Sequence, residues 1–330
     1  MSQKNNKISH KNDSHTLHNS GRRTFLKTAC GLAGGLIAGN IPATLQSRSL
    51  EEKSETVQSP EAMPKIRIGN IDVSRLVLGA NPIWGYSYQG KLMGKLMVNY
   101  FNDDNIVKLF HQAEQSGINT FQTSFPKRFP NVWKRYLDEG GKMNLIILYS
   151  PNEITVKEAA AYKPMAIVHH GGVTDSYWRN NKFQIVHDFV KEVKDTGILA
   201  GVSCHEPEVI DKITQEDWEN DLFMACFYEM TRPAEEWNKM LGFKPILDVF
   251  SPNDPVRMCQ SIRQTKKPCL GFKILAGGWA AGRPEQTEEA YKFAFQNIKP
   301  SDGVIVGMLP VFEDQVSENA KCTIKYGQGV

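Results

Sequence analysis

Six cysteines in 330 residues, with no C-x-x-C pair among them, are too few and too irregularly placed to staple a fold. They exclude a disulfide framework. Charge of one sign is also scarce. The net excess is +3, and the first 62 residues hold eight Lys/Arg against five Asp/Glu, which accounts for all of it. The remainder is formally neutral, so the basic pI gives no ground for binding nucleic acid or an anionic membrane. Long hydrophobic runs are missing too. The apolar stretch at residues 28–39 is shorter than the roughly 20 residues that a membrane span needs, and it is rich in glycine. No internal repeat, Walker loop or GxSxG elbow appears.

The opening of the chain is polar and rich in Asn, Ser, His and Lys. It is followed by Arg22–Arg23 with Phe25, Leu26 and Lys27, by the mild apolar run, and by small residues ending at Ala43. This pattern resembles a twin-arginine export signal over residues 1–43, with cleavage expected near Ala43. It implies passage through the twin-arginine translocase and a periplasmic or other extracytoplasmic destination. Such cargo folds before export, in a reducing cytoplasm, which agrees with five unpaired cysteines at positions 204, 226, 259, 269 and 322. Residues 44–62, rich in Ser and Glu with little to bury, read as a flexible linker.

From residue 63 onward, short apolar runs bounded by turn signals recur with helical stretches between them. They are Leu76–Gly79, Thr120–Thr123, Leu145–Tyr149, the apolar start of Met165–Val173 that ends in two histidines and two glycines, Leu199–Ser203, Leu222–Tyr228, Cys269–Leu275 and Gly303–Gly307. Each is the length of a strand covered on both faces. Eight such units predict a (β/α)8 barrel, whose chemistry gathers at the C-terminal strand ends. KIRIG-NIDV (Lys65–Val73) predicts a hairpin turning at Gly69–Asn70 that closes the barrel bottom. Helices are expected over residues 105–116, 182–196, 231–241 and 255–264, which makes His111 and His187 helix-face residues.

Several pieces in register resemble the aldo-keto reductase superfamily. They are G-x-x-x-V-S-R-L-x-L-G over Gly69–Gly79, SGINTF at Ser116–Phe121, VHH at Val168–His170, GVS at Gly201–Ser203, and VGM at Val306–Met308 with Glu318–Asn319 behind it. The resemblance spans residues 65–319 and implies NADP-dependent reduction of a carbonyl. Most of the residues it implies are replaced. Gln122 stands at the aspartate position, Lys127 is at or near the acid tyrosine position, and the third strand ends in LYSPN with no lysine. Only the histidine of the fourth strand persists, as His169. Ser203 matches the serine that holds the nicotinamide, and Gly307 and Asn319 match cofactor positions. Cys204 and Ala225, however, stand where amide side chains are expected, and acidic Glu313 and Asp314 follow the eighth strand where phosphate recognition wants Lys or Arg. The cofactor site reads as degraded.

Other groups stand at the strand ends in place of that tetrad. His170, His205 and Glu229 match the two-histidine, one-carboxylate pattern of a divalent metal site. Lys273, in an otherwise apolar strand, is costly there unless paired or functional. Together with His169, Tyr228 as a relocated acid, and Gln122, it forms the expected catalytic set. Trp84, Tyr86 and Tyr88 follow the first strand and offer faces for a sugar ring. The function expected from these residues is acid–base chemistry next to a carbonyl of a small polar, sugar-derived substrate, with a divalent metal assisting. An NAD(P)-dependent oxidoreductase and a non-catalytic small-molecule binder are the alternatives.

Overall fold

The computed structural model describes residues 62–329; the export signal and nearly all of the linker lie outside the described residues. Strand β1 (Lys65–Ile68) and strand β2 (Ile71–Ser74) form an antiparallel hairpin, and eight parallel strands close a barrel. These are β3 (Leu76–Gly79), β4 (Thr120–Thr123), β5 (Asn144–Tyr149), β6 (Ala166–His169), β7 (Leu199–Cys204), β8 (Leu222–Cys226), β9 (Cys269–Phe272) and β10 (Gly303–Gly307). Strands β3 to β9 follow one another in chain order, and β10 pairs with both β9 and β3 to close the ring. The fold is therefore the (β/α)8 barrel that the eight apolar runs predict.

Strand pleating divides the apolar residues into two sets. Val77, Ile146, Val168, Leu222, Leu270 and Ile305 face the barrel interior, while Leu78, Phe121, Ile167 and Phe223 face the helices. The hairpin adds Ile66, Ile68 and Val73 to the interior set, so it plugs the N-terminal end of the barrel as expected. Its turn uses Gly69 at φ +57°, a conformation that glycine adopts without the Cβ clash.

Where neighbouring strands pack closely inside the barrel there is no room for a side chain. A Cβ at Gly201 would lie 2.7 Å from Val168 Cγ2 and 3.1 Å from Leu222 side-chain atoms. Gly201→Ala is expected to destabilise the fold by about 1–3 kcal/mol, read from the urea midpoint. An unchanged midpoint would mean that the β6–β7–β8 wall yields freely.

Two strands end earlier than their apolar runs suggest. Strand β8 stops at Cys226, two residues short of Tyr228. Strand β9 stops at Phe272 because Lys273 turns into the left-handed region at φ +61°. The helix expected from residue 231 begins at Ala234, since Pro233 holds an extended ψ of 153° and acts as its N-cap, and it ends as expected at Gly242 with φ +77°. Arg75 is buried and ties the first barrel strand to the end of the chain. Its guanidinium donates to the carbonyls of Asp302, Lys299 and Gly327 and lies over the Phe295 ring.

Candidate active site

A cavity of about 730 Å³ opens at the C-terminal ends of the barrel strands. Its floor is polar and comes from four strands: Gln122 from β4, His170 just past β6, Ser203 from β7 and His205 just past it, and Lys273 just past β9. Alternation decides which of the two neighbouring histidines serves it. Ala166 and Val168 face inward, so His170 does too. His169 points the other way, among the rings of Tyr149, Tyr177 and Phe189, with Nδ1 2.8 Å from Thr174 Oγ1. Burial pushes its pKa down to about 3. The expectation that His169 is catalytic is thus corrected: the pleat carries it out of the mouth.

The floor is organised by a chain of contacts. Asp175, on helix Gly171–Arg179, is buried. Its carboxylate accepts the backbone N–H of His205 and lies 2.7 Å from His205 Nδ1. This fixes the ring so that Nε2 faces Lys273 Nζ at 3.2 Å. The ammonium also points at Cys226 Sγ, 3.7 Å away, and lies 4.9 Å from the centre of the Tyr88 ring and 4.7 Å from that of Phe272. The glycine at position 171 lets strand and helix approach: a Cβ there would lie 3.0 Å from Ser203 Oγ and 3.1 Å from His205 Cε1.

Burial is the largest influence and would lower the pKa of Lys273, but the Cys226 sulfur and the Tyr88 hydroxyl together outweigh it and hold the ammonium above its ordinary value. In the same way His205 loses to burial but gains more from Cys226 and Asp175, and ends raised. His170 is lowered, by burial first and then by the nearby His205 and Lys273. Its Nδ1 is buried without a partner among the described residues. Two imidazoles at one floor are thus pushed in opposite directions, which is how acid and base roles are separated.

The three proposed metal ligands are not brought together. His205 spends both ring nitrogens on Asp175 and Lys273. Glu229 is ion-paired with Arg232, which also holds Asp254 at 2.9 Å, and it does not line the cavity. Among the described residues no group of three or more His, Cys, Asp or Glu side chains is disposed to hold a metal ion. The donor set does not fit one. Tyr228 packs edge-on against Phe250 and lies outside the cavity lining. Trp84 donates to Thr123 Oγ1 at 2.9 Å and serves the scaffold.

The cofactor positions divide. Ser203 and Gly307 line the cavity. Asn319 is buried between helices, accepting from Tyr291 and donating to the Gln315 carbonyl. The loop after β10 is where this fold commonly holds phosphate. Here Leu309 N–H donates to the Gln315 side chain, Val311 N–H to the Leu309 carbonyl, and Ser317 N–H to Asp314. Glu313 stands on the cavity side. With those amides spent and a carboxylate in front, the residues of this loop do not fit the phosphates of NADP.

Asp175 and Cys226 were not singled out from the sequence. Cys226 is legible in retrospect, since it keeps step with inward-facing Leu222 and Met224. Asp175 lies one turn into a helix and carries no such mark.

No family profile and no curated protein matches the chain. Solved structures similar to it include the glycerol dehydrogenase AKR11B4 from Gluconobacter oxydans, at 15% identity over 82% of this chain and 91% of that one, TM-score 0.48. An aldo/keto reductase from Brucella melitensis matches at 10% identity over 78% and 91%, TM-score 0.44. A truncated 3-deoxy-D-arabino-heptulosonate 7-phosphate synthase from Thermotoga maritima matches at 12% identity over 81% and 90%, TM-score 0.44. The neighbours thus include aldo/keto reductases, at levels that carry no statement about chemistry.

Proposed function

We propose that this chain is an enzyme that performs acid–base chemistry next to a carbonyl of a small polar substrate. The observation that carries this reading is the chain Asp175–His205–Lys273, which delivers a held ammonium to a cavity floor that also presents the unprotonated His170. A carbonyl oxygen seated against Lys273 would be polarised by a charge whose position is set by the protein. His170 takes the proton from the adjacent carbon, and the C–H electron pair moves into the carbonyl. The oxygen takes a proton from Lys273, giving the enediol. His170 returns its proton to the former carbonyl carbon while the neighbouring hydroxyl gives its proton back to Lys273, which completes an isomerisation and restores both groups.

Asp175 would act on this reaction through His205, as a positioning residue. Asp175→Asn is expected to lower kcat about 100-fold or more with little change in KM, because the amide no longer fixes the required His205 tautomer. Equal losses in kcat and stability would mark a merely structural role.

The reading is tested by incubating the full chain in deuterium oxide with a panel of small hydroxyaldehydes and hydroxyketones and following deuterium uptake at carbon by mass spectrometry. Uptake above buffer that disappears in Lys273→Met supports it; no uptake in any compound retires it. The oxidoreductase reading stands second, and the observation on its side is that Ser203 and Gly307 share the cavity. Tight binding of NADPH in a fluorescence titration would put it first.

A further inference from the structure

The floor and the lip of the cavity differ in charge, and the difference selects a substrate class. Gln122 is 8% exposed and Ser203 1% exposed, both line the cavity, and the polar atoms of their side chains open into it with no hydrogen-bond partner among the described residues. A ligand rich in hydroxyl and carbonyl oxygens would complete them, and would also reach the unpartnered Nδ1 edge of His170.

The lip carries the opposite instruction. Glu153, Asp248 and Glu313 line it, and none of them is ion-paired among the described residues. Lys273, on the floor, is the one Lys or Arg in the lining. An anionic group at the lip would face three uncompensated carboxylates, while sugar hydroxyls would donate to them. Tyr86 and Phe312, 51% and 82% exposed, stand at the same lip with ring faces open to water, as suits stacking on the apolar face of a sugar ring. The cavity volume of about 730 Å³ lies within the range of sites that take ligands larger than a triose.

We infer that the substrate is an uncharged, unphosphorylated sugar carrying a carbonyl, with its oxo end at Lys273 and its polyol end at the carboxylate lip. This rests on the carbonyl chemistry proposed above and adds the class of molecule on which it acts. Gln122 and Ser203 then become binding residues, and Glu313 a gatekeeper against anions.

The inference is tested with the full chain at low ionic strength, by titrating neutral ketohexoses, their 6-phosphates and glucuronate in ligand-observed NMR. Neutral ketohexoses should bind, and the phosphates and glucuronate should bind about tenfold more weakly or worse, which corresponds to about 1.4 kcal/mol. Glu313→Lys, at an exposed position, should shrink that gap to about threefold or less, chiefly by strengthening the anions and with some loss for the neutral sugar, whose hydroxyls lose an acceptor. Sugar phosphates binding as tightly as the neutral sugars, or no neutral sugar binding at all, would overturn the inference. The outcome is separable from that of the carbonyl chemistry. Sugar binding without deuterium uptake would retire the reaction and keep the ligand class; uptake in a small ketone without sugar binding would do the reverse.

Discussion

Lys273→Met is expected to lower turnover about a thousandfold while leaving the fold intact. The methionine keeps most of the length of the aliphatic stem between the Tyr88 and Phe272 rings and removes only the charge. Loss of one prepositioned group that meets a developing oxyanion in a water-poor site costs about 3–4 kcal/mol of transition-state stabilisation, and each 1.36 kcal/mol is about tenfold in rate. Stability should change little or improve. The lysine holds a left-handed backbone, and that cost remains, but the cost of desolvating the ammonium disappears. Initial rates set beside urea unfolding of the same preparation would check this. Full activity in the variant would remove Lys273 from the chemistry.

The second large effect concerns His169 and acid. Its folded-state pKa is pushed down to about 3 by burial, against an ordinary value near 6.5 in the unfolded chain. Above about pH 6.5 the ring is neutral in both states and pH does not matter. As pH falls below that, the unfolded chain takes up a proton that the folded protein refuses. Stability then drops by up to about 1.4 kcal/mol per pH unit until the folded-state pKa is reached, a total on the order of 5 kcal/mol. Glu206, raised to about 7 by burial, works in the opposite sense, being stabilising below about pH 4.5 and losing that contribution toward pH 7. His169→Phe keeps a flat ring among Tyr149, Tyr177 and Phe189 and removes the titration. Urea midpoints at pH 7 and pH 4 should therefore diverge far less in the variant than in the parent. Identical acid sensitivity in the two would show that another group governs it.

The barrel was legible because its strands are apolar on both faces, and the runs at Leu76–Gly79, Thr120–Thr123 and Gly303–Gly307 match the observed strands residue for residue. The ends of β8 and β9 were not, because an apolar run does not announce where a backbone turns left-handed, as it does at Lys273. For the site, the sequence brought Gln122, Ser203, His205 and Lys273 to the right end of the barrel, since strand order and direction suffice for that. It could not choose between His169 and His170, a choice made by pleat phase. Nor could it foresee that His205 would be taken by Asp175 or that Glu229 would be taken by Arg232. Such pairings depend on which helix leans on which strand end, and no local pattern encodes that.

The closure between β3 and β10 has a consequence for how the chain reaches its fold. Arg75 grips the carbonyl of Asp302, 227 residues away, and the first barrel strand finds its second partner only when the last one has been made. Loops of that span are slow to close. Until then β3 and β9 each present an open edge of the kind that recruits other chains. Shortening the C-terminal end past β10 should therefore yield aggregates that grow edge to edge, whereas losses at the barrel mouth should leave a soluble ring.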